Sequence, residues 1–323
     1  MTRNLLAGVA MACCCAAAVG QPLADAPNAL HVTSAHAWAD PTHAMLLDVA
    51  HAGRRIVAVG EHGIVLLSDD GGRSYRQAKQ VPASSTLTAV YFTDAIHGWA
   101  VGQWGVILAT VDGGETWTLQ RSDTSIDQPL FSVYFKDARH GWAVGLWSMV
   151  LATEDGGHAW KAVKLPPPPG AGRADRNLFH IFADRSGTLF IAAEQGMVLR
   201  SRDDGATWDY RQTGNKGSLW AGAATGDGTI FVGGLVGHLY RSRDGGDTWD
   251  ALDSASTGSI TDLVASGDRI LGVALDGFVI AGTSAAERFT ARQRRDRAAL
   301  TGLVVSPGGD EILLSKDGLL RPE

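Results

Sequence analysis

The chain has 323 residues, 45% hydrophobic and 19% charged, with 40 glycines, 11 prolines and a formal net charge of −6. Such a composition excludes a disordered or collagen-like chain and is ample for a hydrophobic core. The acidic balance excludes a general nucleic-acid binder, whose electrostatic footprint is basic.

In chain order, the first element reads as an export signal. Arg3 precedes the apolar run LLAGVAMACCCAAAV at residues 5–19, too short to span a bilayer comfortably, and Ala18 and Gly20 place small residues third and first before a cut at Gln21. We expect a signal peptide at 1–20, a linker at 21–30 and a single domain at 31–323, exported without a retained anchor. Cys13, Cys14 and Cys15 all fall in the signal, so the mature chain has no disulfide, thiol nucleophile or cysteine-held metal.

Beyond the signal the chain repeats itself. SDDGGRSY, TVDGGETW, TEDGGHAW, SRDDGATW and SRDGGDTW align on Asp70, Asp112, Asp155, Asp203 and Asp244, at gaps of 42, 43, 48 and 41 residues. The longest gap holds LPPPPGAGRADR at 165–176, a loop insertion because consecutive prolines cannot join a sheet. A period in this range marks a propeller or a solenoid. The second unit breaks into LTAVYF, GWAVG, GVILAT and TWTLQ, four short runs rich in β-branched and aromatic residues, separated by turn material. Four antiparallel strands per repeat make a propeller blade.

The expected fold is therefore all-β, a seven-bladed propeller of four-stranded blades near 46–79, 87–120, 130–163, 178–212, 219–251, 260–293 and 300–323. In the sixth unit the repeated octet has decayed to TSAAERF, and the seventh stops after three strands. We expect a strand at 31–41 to supply the missing fourth and close the ring, with Trp38 matching the aromatic at the end of the octet.

The octet follows Ser/Thr-x-Asp-x-Gly-x-x-Trp: Ser68 and Asp70; Thr110, Asp112 and Trp117; Thr153, Asp155 and Trp160; Ser201, Asp203 and Trp208; Ser242, Asp244 and Trp249. Tyr75 replaces the tryptophan in the first copy. Hydroxyl and carboxylate can bind backbone amides of their own turn, glycine permits positive φ, and the aromatic can be buried. A calcium loop would need more carboxylates and a bidentate glutamate at loop position twelve, so no metal is expected. The octet is read as architecture.

These residues are identified as Asp-box, or BNR, repeats. The paired signature HGWAVG…G-x-IL-x-T-x-DGG-x-TW at 97–117, with its near-copy at 140–160, resembles the photosystem II stability/assembly factor family, over about residues 43–320. The resemblance implies a non-enzymatic scaffold without a cofactor. Such a scaffold binds a membrane protein complex or its exported segment, in a periplasmic or thylakoid-lumen-like compartment, soluble or peripherally membrane-associated. A monomer is expected, with neither nucleic acid nor a small-molecule substrate as partner. The alternatives are a glycan- or peptide-binding propeller and a sialidase-like glycosidase. Against the last, no Arg-Ile-Pro segment is present.

Propeller topology then places candidate binding residues. Connections from second to third strand and from each blade to the next share one face, opposite the octets. That rim carries Glu61, His62, Gln103, Trp104, Leu146, Trp147, Glu194 and Gln195, with Arg173, Arg176, Arg294, Arg295 and Arg297 in the longer loops. Tryptophan and arginine are the residue types enriched at binding hot spots. The plainer alternatives are indoles folded over their own blades and arginines that are merely solvated. A last candidate is the innermost ring Asp48, Ala89, Ser132, His180, Ala221, Asp262 and Gly302, which either lines the channel or packs blade on blade.

Overall fold

The computed structural model describes residues 32–320. The expected signal and linker lie outside the described residues. Seven antiparallel sheets follow one another along the chain, and all but the last have four strands. Blade 2 is representative: Leu87–Phe92 lies innermost, followed outward by Gly98–Gly102, Ile107–Thr110 and Thr118–Arg121. The other blades begin at the inner strands Leu46–Ala52, Leu130–Phe135, Leu178–Ala183, Leu219–Ala224, Ile260–Ser266 and Leu300–Val305.

Burial explains the composition of each strand. The second strand of blade 2, GWAVG, is buried throughout because a neighbouring blade covers each of its faces. The outer strand TLQR is half exposed and accordingly polar. The inner strand alternates irregularly because a register shift between Leu87 and Ala89 leaves Thr88 unpaired and turned to the axis. The same shift recurs at Leu47, Phe179, Trp220, Thr261 and Thr301.

Apolar clusters occupy every blade–blade interface. The seventh, joining Leu46, Ile56 and Leu66 of blade 1 to Val304 and Leu314 of blade 7, closes the ring. Thr301 Oγ1 donates to Leu46 O at 2.6 Å across the same joint.

Closure differs from the sequence expectation. Blade 7 pairs only Leu300–Val305, Glu311–Ser315 and Gly318–Leu319, and residues 32–38 form no strand. The N-terminal segment runs instead along blade 1: Ala35 N donates to Val81 O at 2.9 Å, and Trp38 N to Gln77 Oε1 at 3.0 Å. Trp38 is 37% exposed and leans on His62 with ring centroids 5.8 Å apart. Gln77 holds both ends of this contact, since its Nε2 donates to His36 O. What the segment does give blade 7 is a cover. The short turn Pro41–His43 packs on Gly318–Leu319, where a Cβ on Gly318 would strike Thr42 O.

Candidate partner-binding face

The repeated octets form one face. Thr110 Oγ1 donates to Asp112 Oδ1 at 2.8 Å and accepts Gly114 N at 3.0 Å. Asp112 then takes Thr116 N at 3.0 Å and Thr116 Oγ1 at 2.6 Å. Trp117 Nε1 turns back onto Gly114 O at 2.9 Å, and its indole is 1% exposed. The Ser/Thr–Asp–Gly bonds recur at Ser68–Asp70, Thr153–Asp155, Ser201–Asp203 and Ser242–Asp244. Thr248, through its hydroxyl and amide, holds the Asp244 carboxyl down at about 2. Trp208 repeats the indole bond, to Gly205 O. Trp160 instead donates to Gln120 Oε1, while Trp249 Nε1 finds no hydrogen-bond partner among the described residues and sits half-buried beside the blade 4–5 core. With the carboxylates occupied by their own turns, this face offers little to a ligand.

The opposite face is built from five short turns of one kind: Glu61–Gly63, Gln103–Gly105, Leu146–Ser148, Glu194–Gly196 and Leu235–Gly237. Each holds its middle residue in the left-handed region: His62, Trp104, Trp147, Gln195 and Val236, with φ between 52° and 60°. The third position is glycine in all but one because the loop leaving the blade folds over it. A Cβ on Gly63 would strike Ala83 O, and one on Gly237 would strike Ser256 O. Blade 3 has Ser148 here, whose backbone N and Oγ both donate to Arg176 O, at 2.6 and 3.1 Å.

The candidate residues separate into distinct environments. Glu61 Oε1 caps Met45 N at 2.8 Å, a structural bond. Trp104 is half-buried against the core between blades 1 and 2, whereas Trp147 stands 56% exposed. His62, Gln103 and Gln195 are exposed. Glu194 binds Asn177 twice, at its N (3.1 Å) and Nδ2 (2.8 Å), and Asn177 Oδ1 accepts Trp147 N at 3.1 Å. The carboxylate thus sets the turn that presents the indole. Asp175 pairs with both Arg173 Nε (3.2 Å) and Arg176 Nη1 (3.0 Å), and the Arg173 side chain is 84% exposed.

Arg294 departs from expectation. It is only 6% exposed, with Nε and Nη2 on the Asp296 carboxylate at 3.1 and 2.7 Å. Its backbone N donates to Gly277 O, so it anchors its own loop rather than offering a guanidinium to solvent. Arg295 and Arg297 are exposed, but their loop lies between blades 6 and 7, three blades around the ring from Trp147. The structure therefore gathers Trp147, Arg173, Arg176, Glu194 and Gln195 on the arc of blades 3 and 4, and leaves Arg294, Arg295 and Arg297 elsewhere.

Two residues of this face escape the sequence reading. Ile126 is 50% exposed in the loop entering blade 3, where Gln128 Nε2 ties the same loop to Leu146 O at 2.9 Å. Val236 is 65% exposed at the position equivalent to Trp147. An isoleucine alone in the polar stretch SDTSIDQ was the available signal for the first, and alignment of the turns for the second.

The inner ring is mechanical. Asp48 Oδ2 accepts Val90 N at 2.8 Å, Ser132 Oγ accepts Ile181 N at 3.2 Å, His180 Nδ1 accepts Gly222 N at 3.0 Å, and Asp262 Oδ2 accepts Leu303 N at 2.9 Å. Each reaches the inner strand of the next blade. Where the equivalent residue is Ala89 or Gly302, the preceding threonine substitutes: Thr88 Oγ1 donates to Leu130 O at 2.7 Å, as Thr301 does to Leu46 O. Burial pushes Asp48 up to about 8, with the Asp262 charge adding to it, and pushes Asp262 up to about 6. Burial also holds His180 neutral, down at about 4.

Fold and face together define a seven-bladed propeller whose repeated architecture lies in its octet turns and whose exposed aromatic and charged chemistry lies on the opposite rim. The model of the family described as photosynthesis system II assembly factor YCF48 matches residues 77–171 and 120–318, and the chain belongs to that family. No curated protein matches in sequence. Among solved structures, the chain is similar to one described as YCF48 bound to D1 peptide (TM-score 0.70, 17% identity, 88% of this chain and 94% of that chain). It is similar also to YCF48 from Cyanidioschyzon merolae (0.67, 19%, 86% and 95%) and to a streptogramin B lyase (0.71, 13%, 88% and 94%). At these identities the likeness is one of fold.

Proposed function

We propose that this protein is a non-enzymatic, exported, monomeric scaffold that binds an extended segment of a membrane-protein partner and assists assembly or stability of its complex. The site is the blade 3–4 arc. The observation that carries the reading is an exposed indole, Trp147, on the same arc as the exposed Ile126 and Arg173, its turn held by the Glu194–Asn177–Trp147 bonds. A desolvating aromatic anchor flanked by a guanidinium suits a peptide that carries apolar and acidic groups. Membership of an assembly-factor family supports the role, and the related propeller solved with a D1 peptide supports a peptide as ligand. The His–Asp pairs His97–Asp94 and His140–Asp137 lie within single turns on the octet side, not beside this arc, and are read as turn locks.

The test is binding of purified mature protein to peptides from the exported loops and termini of candidate membrane partners. Trp147→Ala with Arg173→Glu should abolish the interaction while Asp112→Ala, in whatever remains folded, keeps it. The reverse pattern would put the site on the wrong face. Intact mass of the exported protein should show a chain starting near Gln21; a species retaining residues 1–20 would refute export with cleavage.

A further inference from the structure

The axial cavity of the propeller, open to solvent, has a volume of about 550 Å³, the size of a small-molecule site. Its wall is divided by chemistry. At the axis-facing bulge position, blades 3, 4 and 5 present Phe131, Phe179 and Trp220, whereas blades 2, 6 and 7 have threonine there and blade 1 has Leu47. Phe131 and Phe179 stack at 5.7 Å with planes 18° apart. One residue further on, blades 6 and 1 carry the carboxyls of Asp262 and Asp48, on either side of a blade that has Gly302 in that place. An aromatic wall thus faces a carboxyl wall across one cavity.

We propose that this cavity binds a small organic cation, an ammonium or guanidinium group attached to an apolar body. The cation would lie between the two carboxyls and the aromatic faces, and the apolar body would cover Phe131, Phe179 and Trp220. Aromatic faces attract cations through their quadrupole, and desolvation strengthens both that attraction and the ionic one. Among the described residues, no lysine or arginine lines the cavity. Its titratable groups are Asp48, Asp262, His180, Tyr91 and Tyr134. His180 is neutral, and burial raises Tyr91, with a contribution from Tyr134 5.2 Å away, to about 12, so a bound cation meets no competing positive charge. The backbone amides of Val49 and Val90 occupy one lone pair on each Asp48 oxygen, which leaves the cavity-facing lone pairs for the ligand.

Linkage gives a signature that a merely hydrophobic cavity lacks. Both carboxyls are raised in the empty protein, so a permanently charged ligand displaces protons as it binds, and its affinity rises with pH. The experiment titrates the mature protein with benzyltrimethylammonium, whose charge is independent of pH, and with benzyl alcohol and phenylacetate as neutral and anionic counterparts. Affinity for the cation should rise at least about tenfold from pH 5 to pH 7, as the group near 6 ionises, and rise further through pH 8 as Asp48 follows, levelling off above about pH 9. The alcohol should bind weakly without pH dependence, and phenylacetate not at all. Asp262→Asn should reduce the pH dependence to the part carried by Asp48, and Trp220→Ala should weaken binding at every pH. Because the pH series uses the unaltered protein, it decides even if a variant fails to fold. Equal binding of cation and alcohol, no binding of the cation, or a pH-independent affinity would each overturn the proposal. None of these outcomes bears on peptide binding at the blade 3–4 arc, which lies on the outer rim.

Discussion

Trp147 and Trp104 occupy equivalent turns with nearly the same backbone conformation, at φ of 54° and 60°. Only their surroundings differ, since Trp104 packs against the blade 1–2 core and Trp147 projects. Trp147→Ala should therefore cost about 2 kcal/mol of partner binding with little loss of stability, whereas Trp104→Ala should lower the melting temperature and leave binding nearly unchanged. Titration and thermal unfolding of the two variants check this. Asp48 has the opposite character, a residue whose charge opposes the fold. Its folded pKa lies near 8, above the usual 3.8, so its favourable contribution is complete below about pH 4 and is lost as pH rises through 8. Thermal unfolding should show stability declining toward pH 9. Asp48→Asn should melt lower at pH 5, because one of two amide donors loses its acceptor, yet show a flatter profile.

At the scale of elements, the octet turn is a self-contained unit whose glycines also seat the neighbouring blade. A Cβ on Gly205 would meet the Trp142 indole of blade 3, and one on Gly72 would meet Ile312 of blade 7. Asp112→Ala removes the acceptor for the Thr110 and Thr116 hydroxyls and the Thr116 amide, and should cost about 1–3 kcal/mol of stability by denaturant unfolding. The turn carboxylates also predict an acid limit. Asp244 is depressed to about 2 and Asp137, held by His140, likewise to about 2, so the stability they confer is present above about pH 4 and lost as pH falls through 2. This unit was legible from the sequence because the bonds among its Ser/Thr, Asp and Gly positions are local, between residues two to four apart. The turns of the other face were legible in position but not in role, since burial of Trp104 and exposure of Trp147 depend on which loop packs beside each.

For the whole molecule, closure is apolar. Blade 7 meets blade 1 through Leu46, Ile56, Val304 and Leu314, with Thr301 bonding Leu46 O, and residues 32–38 contribute contacts to blade 1 instead of a strand. Deleting residues 32–38 should thus lower stability only by about 1–3 kcal/mol, the worth of a few hydrogen bonds and a partly exposed indole. Leu46→Ala should cost about 2–5 kcal/mol by leaving a cavity at the closing joint. Denaturant unfolding of both ranks them; a larger loss from the deletion would mean that the segment, not the core, holds the ring shut.

The sequence by itself determined the blade count, the order of strands within each blade and the local turns, because a repeat of about forty-two residues, runs of β-branched residues and octets of fixed spacing are all short-range patterns. It also determined which loops share a face, since alternation of antiparallel strands decides that. Only the tertiary structure decided how the ring closes, because HAW at 36–38 resembles the octet's end yet Gln77 captures it on blade 1. Only the structure separated buried Arg294 from exposed Arg173, since both pair with an aspartate two residues on and only the packing around the guanidinium differs. And only the structure set Phe131, Phe179 and Trp220 opposite Asp48 and Asp262 around one axis, because residues from five different blades meet there only once the ring is closed.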